Sequence, residues 1–314
     1  ALRDQLDHMN PVAVAHLAEN DETSYNIVPE FKLKYNLLGL SDDKTRLTYE
    51  GKVVFNIFNK YEDMFMPSSL NTRGWNDTDK KQSNRTTANS SKSLGVTTTH
   101  TLTFTPHFRN EDHSMMMLLR GQLTDGNSTS QHTVTWGLPS GSITSPGAPA
   151  LIAEMNTGSG QWRSIYLTYS LHYAYKKRYA FDFSVRRDGS TKFGPDQRWG
   201  NFPAVSLRWN ISKEPWFEKT FPWISMLSVR PGWGIVGKQP NAEYLYFSKY
   251  ANGAGYMNEG SIHPQNIQLK NLKWEQTETY NLGIDFGFFN EKLTGNVEIY
   301  AQYVTDLLMQ NRGI

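Results

Sequence analysis

The sequence contains no cysteine among its 314 residues. This absence excludes disulfide bonds, thiolate metal ligands and a cysteine nucleophile, and it fits an oxidising compartment such as the periplasm or the cell surface. An excess of one charge is also missing, because 32 basic and 30 acidic residues leave a net charge of +2. The charge balance therefore gives no indication that the protein binds nucleic acid.

A long hydrophobic run is missing as well. No stretch approaches the roughly 18 to 20 consecutive apolar residues of a transmembrane helix. Transmembrane β-strands alternate apolar and polar residues, so a low hydrophobic content of 38% does not exclude a membrane protein. Residues 1–20 lack the ordered basic, apolar and cleavage regions of a signal peptide, so we expect either a protein that is not exported or an internal piece of a longer polypeptide.

Apolar and polar residues alternate in about ten segments, which predicts β-strands with two different faces. The segment 179–186 is one example, since Tyr179, Phe181, Phe183 and Val185 alternate with small or charged residues. Short connections, such as the two lysines at positions 176 and 177, alternate along the chain with long connections. The long connections are expected at residues 59–97, 124–161 and 237–273.

This organisation is typical of a transmembrane β-barrel, in which short turns lie at the periplasmic end and long loops lie outside the cell. We therefore predict an all-β fold, an antiparallel transmembrane β-barrel whose apolar face contacts outer-membrane lipid and whose polar face lines a wet lumen. Aromatic residues near the strand ends suit the interfacial girdles of such barrels. The alternative is a large soluble antiparallel sheet with one face on a core, which periodicity alone does not exclude.

Charged residues on the predicted polar faces are candidates for the wall of the lumen. Charges on neighbouring strands pair across the ladder, so a structural role is favoured over catalysis. The eight histidines are scattered, and the oxygen-rich segment 76–81 lacks the glycine and the distal glutamate of an EF-hand loop. We therefore predict no enzymatic activity, no cofactor and no metal site. The predicted lumen-facing charges are Asp182, Arg186, Arg208 and Arg230.

Aromatic residues in or beside the long connections are candidates for contact with a substrate or with a protein lid. Aromatic faces stack on sugar rings and also anchor protein partners. Packing within a loop explains each of them equally well. The candidates are Trp75, Trp136, Trp162, Tyr244, Tyr246, Phe247 and Tyr256.

Several phrases occur together in one order that resembles a known family. The strongest is YKKRYAFDFSVRRDGSTKFGPDQRWGNFPAVSLRWNISKEPWF at residues 175–217, and SVRPGWGIVGKQ at residues 228–239 follows it. The sequence LKWEQTETYNLGIDFGFFNEKLTGNVEIYAQYVTDLL at residues 272–308 resembles a late hairpin of the same family. The chain is thus similar to the SusC/RagA class of TonB-dependent outer-membrane transporters, with continuous coverage from about residue 10 to residue 308.

The resemblance implies a barrel of about 22 strands, plugged by an N-terminal domain that carries a TonB box. It implies import of oligosaccharides or peptides, with a SusD-like surface lipoprotein on the long loops and the TonB complex as the source of energy. Residues 1–314 would be a partial barrel domain without the plug, the TonB box and the final strands. The alternative is an outer-membrane barrel that docks surface proteins without importing anything.

Overall fold

The alternating segments form β-strands in the described part of the computed structural model. The structure describes residues 11–41, 43–70, 84–138, 140, 151–256 and 259–308. Within them the helices are α1 (Pro11–Leu17) and α2 (Pro215–Thr220), and the strands are β1 (Glu19–Ile27), β2 (Glu30–Leu38), β3 (Arg46–Met66), β4 (Arg85–Thr105), β5 (His113–Trp136), β6 (Leu151–Tyr175), β7 (Tyr179–Ser190), β8 (Trp199–Asn210), β9 (Ile224–Lys238), β10 (Tyr250–Tyr256), β11 (Glu259–Pro264), β12 (Glu275–Phe288) and β13 (Leu293–Thr305).

The chain divides into two compact units, and the long strands β3 to β6 contribute residues to both. In the larger unit, the strand order is β2-β3-β4-β5-β6-β7-β8-β9-β12-β13, so nearly all neighbours in the sheet are also neighbours in sequence. In the smaller unit, the order is β1-β3-β4-β5-β6. Strands β10 and β11 form a separate hairpin. No helix of the described residues is both long and apolar enough to cross a membrane.

Antiparallel pairing keeps a constant register along the β6–β7 and β7–β8 pairs. Strand β7 pairs with β6 from Ser190 opposite Ser164 to Tyr179 opposite Tyr175. Three residues join the strands, and the backbone N–H of Arg178 donates to the carbonyl of Tyr175 at 2.9 Å. The two central residues of this turn, Lys176 and Lys177, have positive φ values of 52° and 55°, as in a type I′ turn. Side chains opposite one another in an antiparallel pair share a face, so a constant register keeps the two faces distinct across several strands.

Proline interrupts the first alternating segment, residues 25–37, which the sequence pattern predicts as one strand. The structure has two strands here, β1 and β2, with Val28 and Pro29 between them, and each pairs with β3. In the smaller unit, the carbonyl of Pro29 accepts a hydrogen bond from the backbone N–H of Phe55 at 3.0 Å. Because proline has no N–H of its own, it can accept in the ladder but cannot donate.

The strands are longer than the alternation predicts, which corrects the bounds of the long connections. Strands β3 and β4 extend into residues 59–97, and β5 and β6 extend into residues 124–161. These added strand residues are rich in serine, threonine, asparagine and glycine, so hydropathy gives no alternating signal there. The ladder is made of backbone groups and therefore continues without apolar side chains. Within residues 237–273 the structure adds the β10–β11 hairpin.

Asn84 connects two segments of the smaller unit through side-chain hydrogen bonds. Asn84, which has a positive φ of 47°, donates from its amide nitrogen to the carbonyl of Leu138 at 2.8 Å. Its amide oxygen accepts from the backbone N–H of Ser68 at the same distance. Leu70 and Val134 are buried in the same unit. One asparagine thus joins the segments that follow β3 and β5.

Candidate functional site

One face of the sheet in the larger unit is apolar and exposed. Leu167 on β6, Leu207 on β8, and Leu282 and Ile299 on β12 and β13 are all exposed. Leu282 lies directly opposite Ile299 in the antiparallel register, so the apolar face continues across that strand pair. A soluble sheet would bury such side chains against a core, whereas a transmembrane strand exposes them to hydrocarbon. The exposed apolar face is therefore suited to lipid.

The opposite face carries Asp182, one of the predicted lumen-facing charges. Asp182 lies opposite His172 on β6 and Ser206 on β8. Its Oδ1 is 2.6 Å from His172 Nδ1, and its Oδ2 accepts from Ser206 Oγ at 3.5 Å. The three side chains thus contact one another across neighbouring strands, as polar groups in a structural cross-strand ladder do.

Arg208 and Arg230, two further predicted charges, meet at a single carboxylate on the same face. Arg208 Nη2 donates to Asp285 Oδ2 at 3.0 Å, and Arg230 Nη2 donates to Asp285 Oδ1 at 2.8 Å. Ser228 Oγ adds a hydrogen bond to Asp285 Oδ2 at 2.8 Å. The Asp285 side chain is only 13% exposed. Asp285 thus joins β8, β9 and β12, although the sequence analysis did not single it out.

Arg186 lies on the same face but forms a separate cluster. Its Nε donates to Asp188 Oδ1 at 2.6 Å, and its guanidinium carbon lies 4.0 Å from the centre of the Tyr166 ring. The structure therefore places the four predicted charges on one face but does not bring them together in one site. Among the described residues, no group of three or more histidine, aspartate or glutamate side chains is close enough to hold a metal ion.

A buried aromatic cluster lies beside the polar face, between β8 and the segment that precedes β12. It consists of Phe193, Phe202 and Trp274. The ring centres of Phe193 and Trp274 are 4.6 Å apart, and the Trp274 indole N–H donates to the carbonyl of Arg198 at 3.2 Å. The motif residues 193–194, 198–200 and 202–203 therefore form a scaffold rather than a reactive centre.

Two glycines make room for this cluster. A Cβ atom on Gly237 would lie 2.0 Å from the Phe202 ring, and one on Gly200 would lie 2.4 Å from it. These distances are far below a van der Waals contact, so only glycine fits at either position while the ring stays in place. Gly200 of the RWG motif and Gly237, the second glycine of the GIVGK motif, are thus explained by close approach to one phenylalanine.

The scaffold supports a loop, residues 239–249, that displays aromatic rings. Lys192 Nζ donates to the carbonyls of Pro240 and Asn241 at 3.2 and 3.0 Å, which fixes the start of the loop. The ring centres of Tyr246 and Phe247 are 4.2 Å apart, and Phe247 is exposed. We call residues 239–249 the aromatic loop.

Tyr244 lies on the surface of the aromatic loop beside a cation. Its backbone φ is 59°, and its ring is 6.4 Å from Phe247 and 5.8 Å from Lys249 Nζ, measured between or to ring centres. Lys249 Nζ also donates to the carbonyl of Glu243 at 3.1 Å. The aromatic loop therefore offers exposed rings with a fixed positive charge, which suits stacking on a sugar or packing against a polypeptide.

The other aromatic candidates are dispersed. Trp162, on β6, is half-buried, and its ring centre lies 5.6 Å from Lys192 Nζ. Trp136 ends β5 in the smaller unit, and Tyr256 ends β10. Trp75 and the segment 76–81 lie outside the described residues. Phe247, the remaining candidate, is exposed on the aromatic loop.

Comparison with known proteins identifies the family. The family model described as "TonB dependent receptor-like, beta-barrel" matches residues 7–314. The TonB-dependent receptor SusC of Bacteroides thetaiotaomicron is 39% identical over 145 residues, which cover 44% of this chain and 14% of SusC. The TonB-dependent receptor P39 of Formosa agariphila is 36% identical over 136 residues, which cover 43% of this chain and 13% of P39.

A solved structure, that of the RagAB peptide transporter, superposes with a TM-score of 0.79 at 18% identity, over 94% of this chain and 32% of that chain. The chain thus spans less than a third of that neighbour. The predicted antiparallel transmembrane β-barrel fold is confirmed, and within the described residues β13 pairs only with β12, so the sheet does not close here. The chain belongs to the family of TonB-dependent receptor-like β-barrels, as a partial chain of the SusC/RagA type.

Proposed function

We propose that the protein containing this chain imports oligosaccharides or peptides across the outer membrane. The chain contributes barrel wall and loops, and it makes and breaks no covalent bond. Import draws energy from the TonB complex, which engages a part of the polypeptide outside residues 1–314. A SusD-like surface lipoprotein forms the lid. SusC and RagAB, the latter described as a peptide transporter, support this assignment.

One observation carries the proposal, namely the two different faces of the sheet in the larger unit. The exposed apolar face, represented by Leu167 and Ile299, suits contact with outer-membrane lipid. The opposite face has its charges joined in cross-strand pairs, and the Arg208–Asp285–Arg230 cluster is an example. A wall with lipid on one side and water or a plug on the other requires this arrangement.

The aromatic loop is our candidate for contact with substrate or lipoprotein. Its exposed rings, Tyr244 and Phe247, lie next to Lys249, and hydrogen bonds from Lys192 hold the start of the loop. Preorganised aromatic residues lose little conformational entropy on binding, so they serve well as anchors. We assign the four predicted charges to the lumen wall rather than to substrate chemistry.

Uptake by living cells tests the proposal. A strain that lacks the gene and a complemented strain are supplied with labelled oligosaccharides and labelled peptides, with and without inactivation of TonB. We expect uptake of one of the two substrate classes to require both the gene and TonB. Phe247→Ala should weaken uptake, and Ile267→Ala, an exposed residue of the same connection, serves as the matched control.

Two results would contradict the proposal. If uptake of every substrate persists without the gene, the protein is not an importer. If deletion instead removes a surface protein from the cell while uptake is unchanged, the chain is part of a docking barrel.

A further inference from the structure

The connection between β8 and β9 exposes a concentration of aromatic residues. It contains a 3₁₀ turn at Ile211–Lys213, then α2 at Pro215–Thr220. Trp216 is 55% exposed and Trp223 is 50% exposed, while Phe217 on the other side of α2 is buried. We call residues 211–223 the β8–β9 connection. A short helix with one buried and one exposed aromatic face is unusual for a turn that merely reverses the chain.

Glu214 fixes this connection to the ends of two strands. It is only 6% exposed, and its Oε1 accepts from Tyr179 Oη at 2.5 Å and from Trp209 Nε1 at 3.1 Å. Its Oε2 is 3.5 Å from Arg178 Nη1. The hydrogen bonds from Tyr179 and Trp209 hold the pKa of the Glu214 carboxyl below its usual range. Glu214 is therefore an ionised group that joins β7, β8 and α2.

The residues that Glu214 holds belong to the exposed apolar face. Tyr175, Tyr179 and Trp209 form a row across three strands, with successive ring centres 6.5 Å apart and nearly parallel planes. Tyr179 and Trp209 are exposed. Trp209 lies two residues after Leu207 on β8, so the row is the margin of the lipid-facing surface. The β8–β9 connection continues this surface past the end of the strands.

A neighbouring turn extends the same aromatic margin. The ring of Trp223 is stacked on Phe288, with centres 5.6 Å apart and planes inclined by 24°. The backbone N–H of Phe289 donates to the carbonyl of Trp223 at 2.8 Å, and the Phe289 ring is exposed. Phe289 has a positive φ of 55°, a conformation that bulky residues seldom adopt. The β12–β13 turn thus holds Phe289 beside the β8–β9 connection.

Five lysines and three acids flank these rings. The β8–β9 connection exposes Lys213, Lys219 and Glu218, and the β12–β13 turn exposes Lys292 and Glu291. Lys176 and Lys177 lie in the β6–β7 turn, where Lys176 Nζ is 3.7 Å from Asp112 Oδ2. Exposed tryptophan and phenylalanine next to lysine is the composition of a membrane interface, where rings lie at the level of the headgroups and ammonium groups reach the phosphates. Charge and apolar exposure thus point to the same partner.

We propose that the β8–β9 connection lies in the headgroup region of a glycerophospholipid leaflet, where it anchors the sheet, and that Glu214 fixes its orientation. The proposal rests on the membrane placement of the barrel and does not depend on import. Glu214 is a positioning residue, because it acts through Tyr179, Trp209 and α2 rather than through contact with lipid.

Spin labelling tests the proposal, and the absence of cysteine from this chain makes it practical. In the whole polypeptide, with any cysteine outside this chain replaced by serine, Trp216→Cys is labelled with a nitroxide and reconstituted into phosphatidylcholine–phosphatidylglycerol vesicles. Accessibility to oxygen and to a water-soluble nickel chelate then gives the depth. We expect a depth of about 5–10 Å below the surface. Leu167→Cys serves as the lipid reference and Asn241→Cys as the water reference.

The role of Glu214 is tested in the same labelled protein. Glu214→Ala should move the label at position 216 toward water, and Glu214→Gln, which keeps an oxygen acceptor, should restore part of the depth. Glu218→Ala, an exposed acid of the same helix, is the matched control and should leave the depth unchanged. The label at position 167 should not move in any of these variants.

The outcomes are distinguishable. If position 167 reports lipid but position 216 reports water, the anchor is overturned while the membrane placement stands, and a protein partner for these rings becomes the better explanation. If both positions report water, the membrane placement fails as well. If Glu214→Ala leaves the depth unchanged, the positioning role is wrong. Phe289→Cys supplies a second label position if Trp216→Cys does not assemble.

Discussion

Replacing Phe193 by alanine tests whether the buried aromatic cluster holds the aromatic loop in place. Phe193 is fully buried, at 0% exposure, and its ring centre lies 4.6 Å from that of Trp274. Truncating a buried phenylalanine to alanine typically costs about 3–5 kcal/mol, from lost transfer free energy and from the cavity that remains. Phe193 lies between Lys192, which donates to the carbonyls of Pro240 and Asn241, and Gly194, where an added Cβ would contact Tyr246. We therefore expect most of this cost to fall on the free energy of local opening of the loop.

Hydrogen–deuterium exchange of the whole protein in detergent measures that local opening. Two amides of the loop are informative, because the N–H of Phe247 donates to the carbonyl of Tyr244 at 3.1 Å and the N–H of Lys249 donates to Asn266 Oδ1 at 2.7 Å. A loss of about 3–5 kcal/mol corresponds to exchange that is roughly 140- to 4,000-fold faster, since each 1.4 kcal/mol is a factor of ten.

Ile267→Ala is the control, because Ile267 is exposed in the same connection and its truncation should cost about 0.5 kcal/mol or less. Unchanged exchange in the aromatic loop of Phe193→Ala would refute the reasoning. Equal acceleration in β12 would refute it differently, because the cluster would then stabilise the sheet as a whole rather than the loop.

Three further predictions concern the two faces and the strand ends. Leu171→Arg, in the middle of the apolar face, should destabilise the protein in liposomes by about 2–4 kcal/mol, whereas Ser170→Arg on the opposite face should cost clearly less in the same denaturant titration. Asp285→Asn should lower the free energy of unfolding by about 1–3 kcal/mol, because it weakens charge-assisted hydrogen bonds to two arginines. Combining it with Arg230→Gln should lower the free energy of unfolding by less than the sum of the single changes, and strict additivity would contradict the network. Because the folded-state pKa of Glu214 is lowered, its contribution to stability is present above about pH 4.3 and is lost as the pH falls further through the folded-state pKa. The stability difference between wild type and Glu214→Gln should therefore shrink between pH 6 and pH 3, and a difference that does not change with pH would count against an ionised Glu214.

Alternation was enough to predict the strands wherever both faces have a strong chemical preference. The segment around Phe181 and Phe183 is a clear case, since every second residue is apolar and the structure forms β7 there. The same rule predicts that Asp182 and Arg186 share a face of β7, because residues an even number of positions apart in a strand lie on one side. That Arg208 and Arg230 lie on this face as well depends on the register of β8 and β9.

The strand ends in the polar regions could not be predicted in this way. Residues 85–97 and 124–136 lie in β4 and β5, yet their side chains are mostly small and polar. Their strand conformation comes from backbone hydrogen bonds to neighbours that are themselves in the sheet. Such pairing is decided by the partner strand, which is distant in sequence, and not by any local preference of serine or threonine.

The residues that matter most at the candidate sites were hidden for the same reason. Asp285 is one of several polar residues on β12, and only the register shows that two arginines from β8 and β9 reach it. Glu214 belongs to a motif that was recognised, but its contact with Tyr179 joins residues 35 positions apart. Phe193 and Trp274 are still farther apart in the chain, at 193 and 274.

The sequence by itself determined the two-faced strands, the family and the short turns, because each depends on residues that are close together in the chain. The tertiary structure alone decided which charges share a partner, where the long connections begin, and why Gly200 and Gly237 must be glycine. The physical reason is that register and close packing bring together side chains from strands that are far apart in sequence. A pattern of period two records the face on which a residue lies but not the neighbour that it meets there.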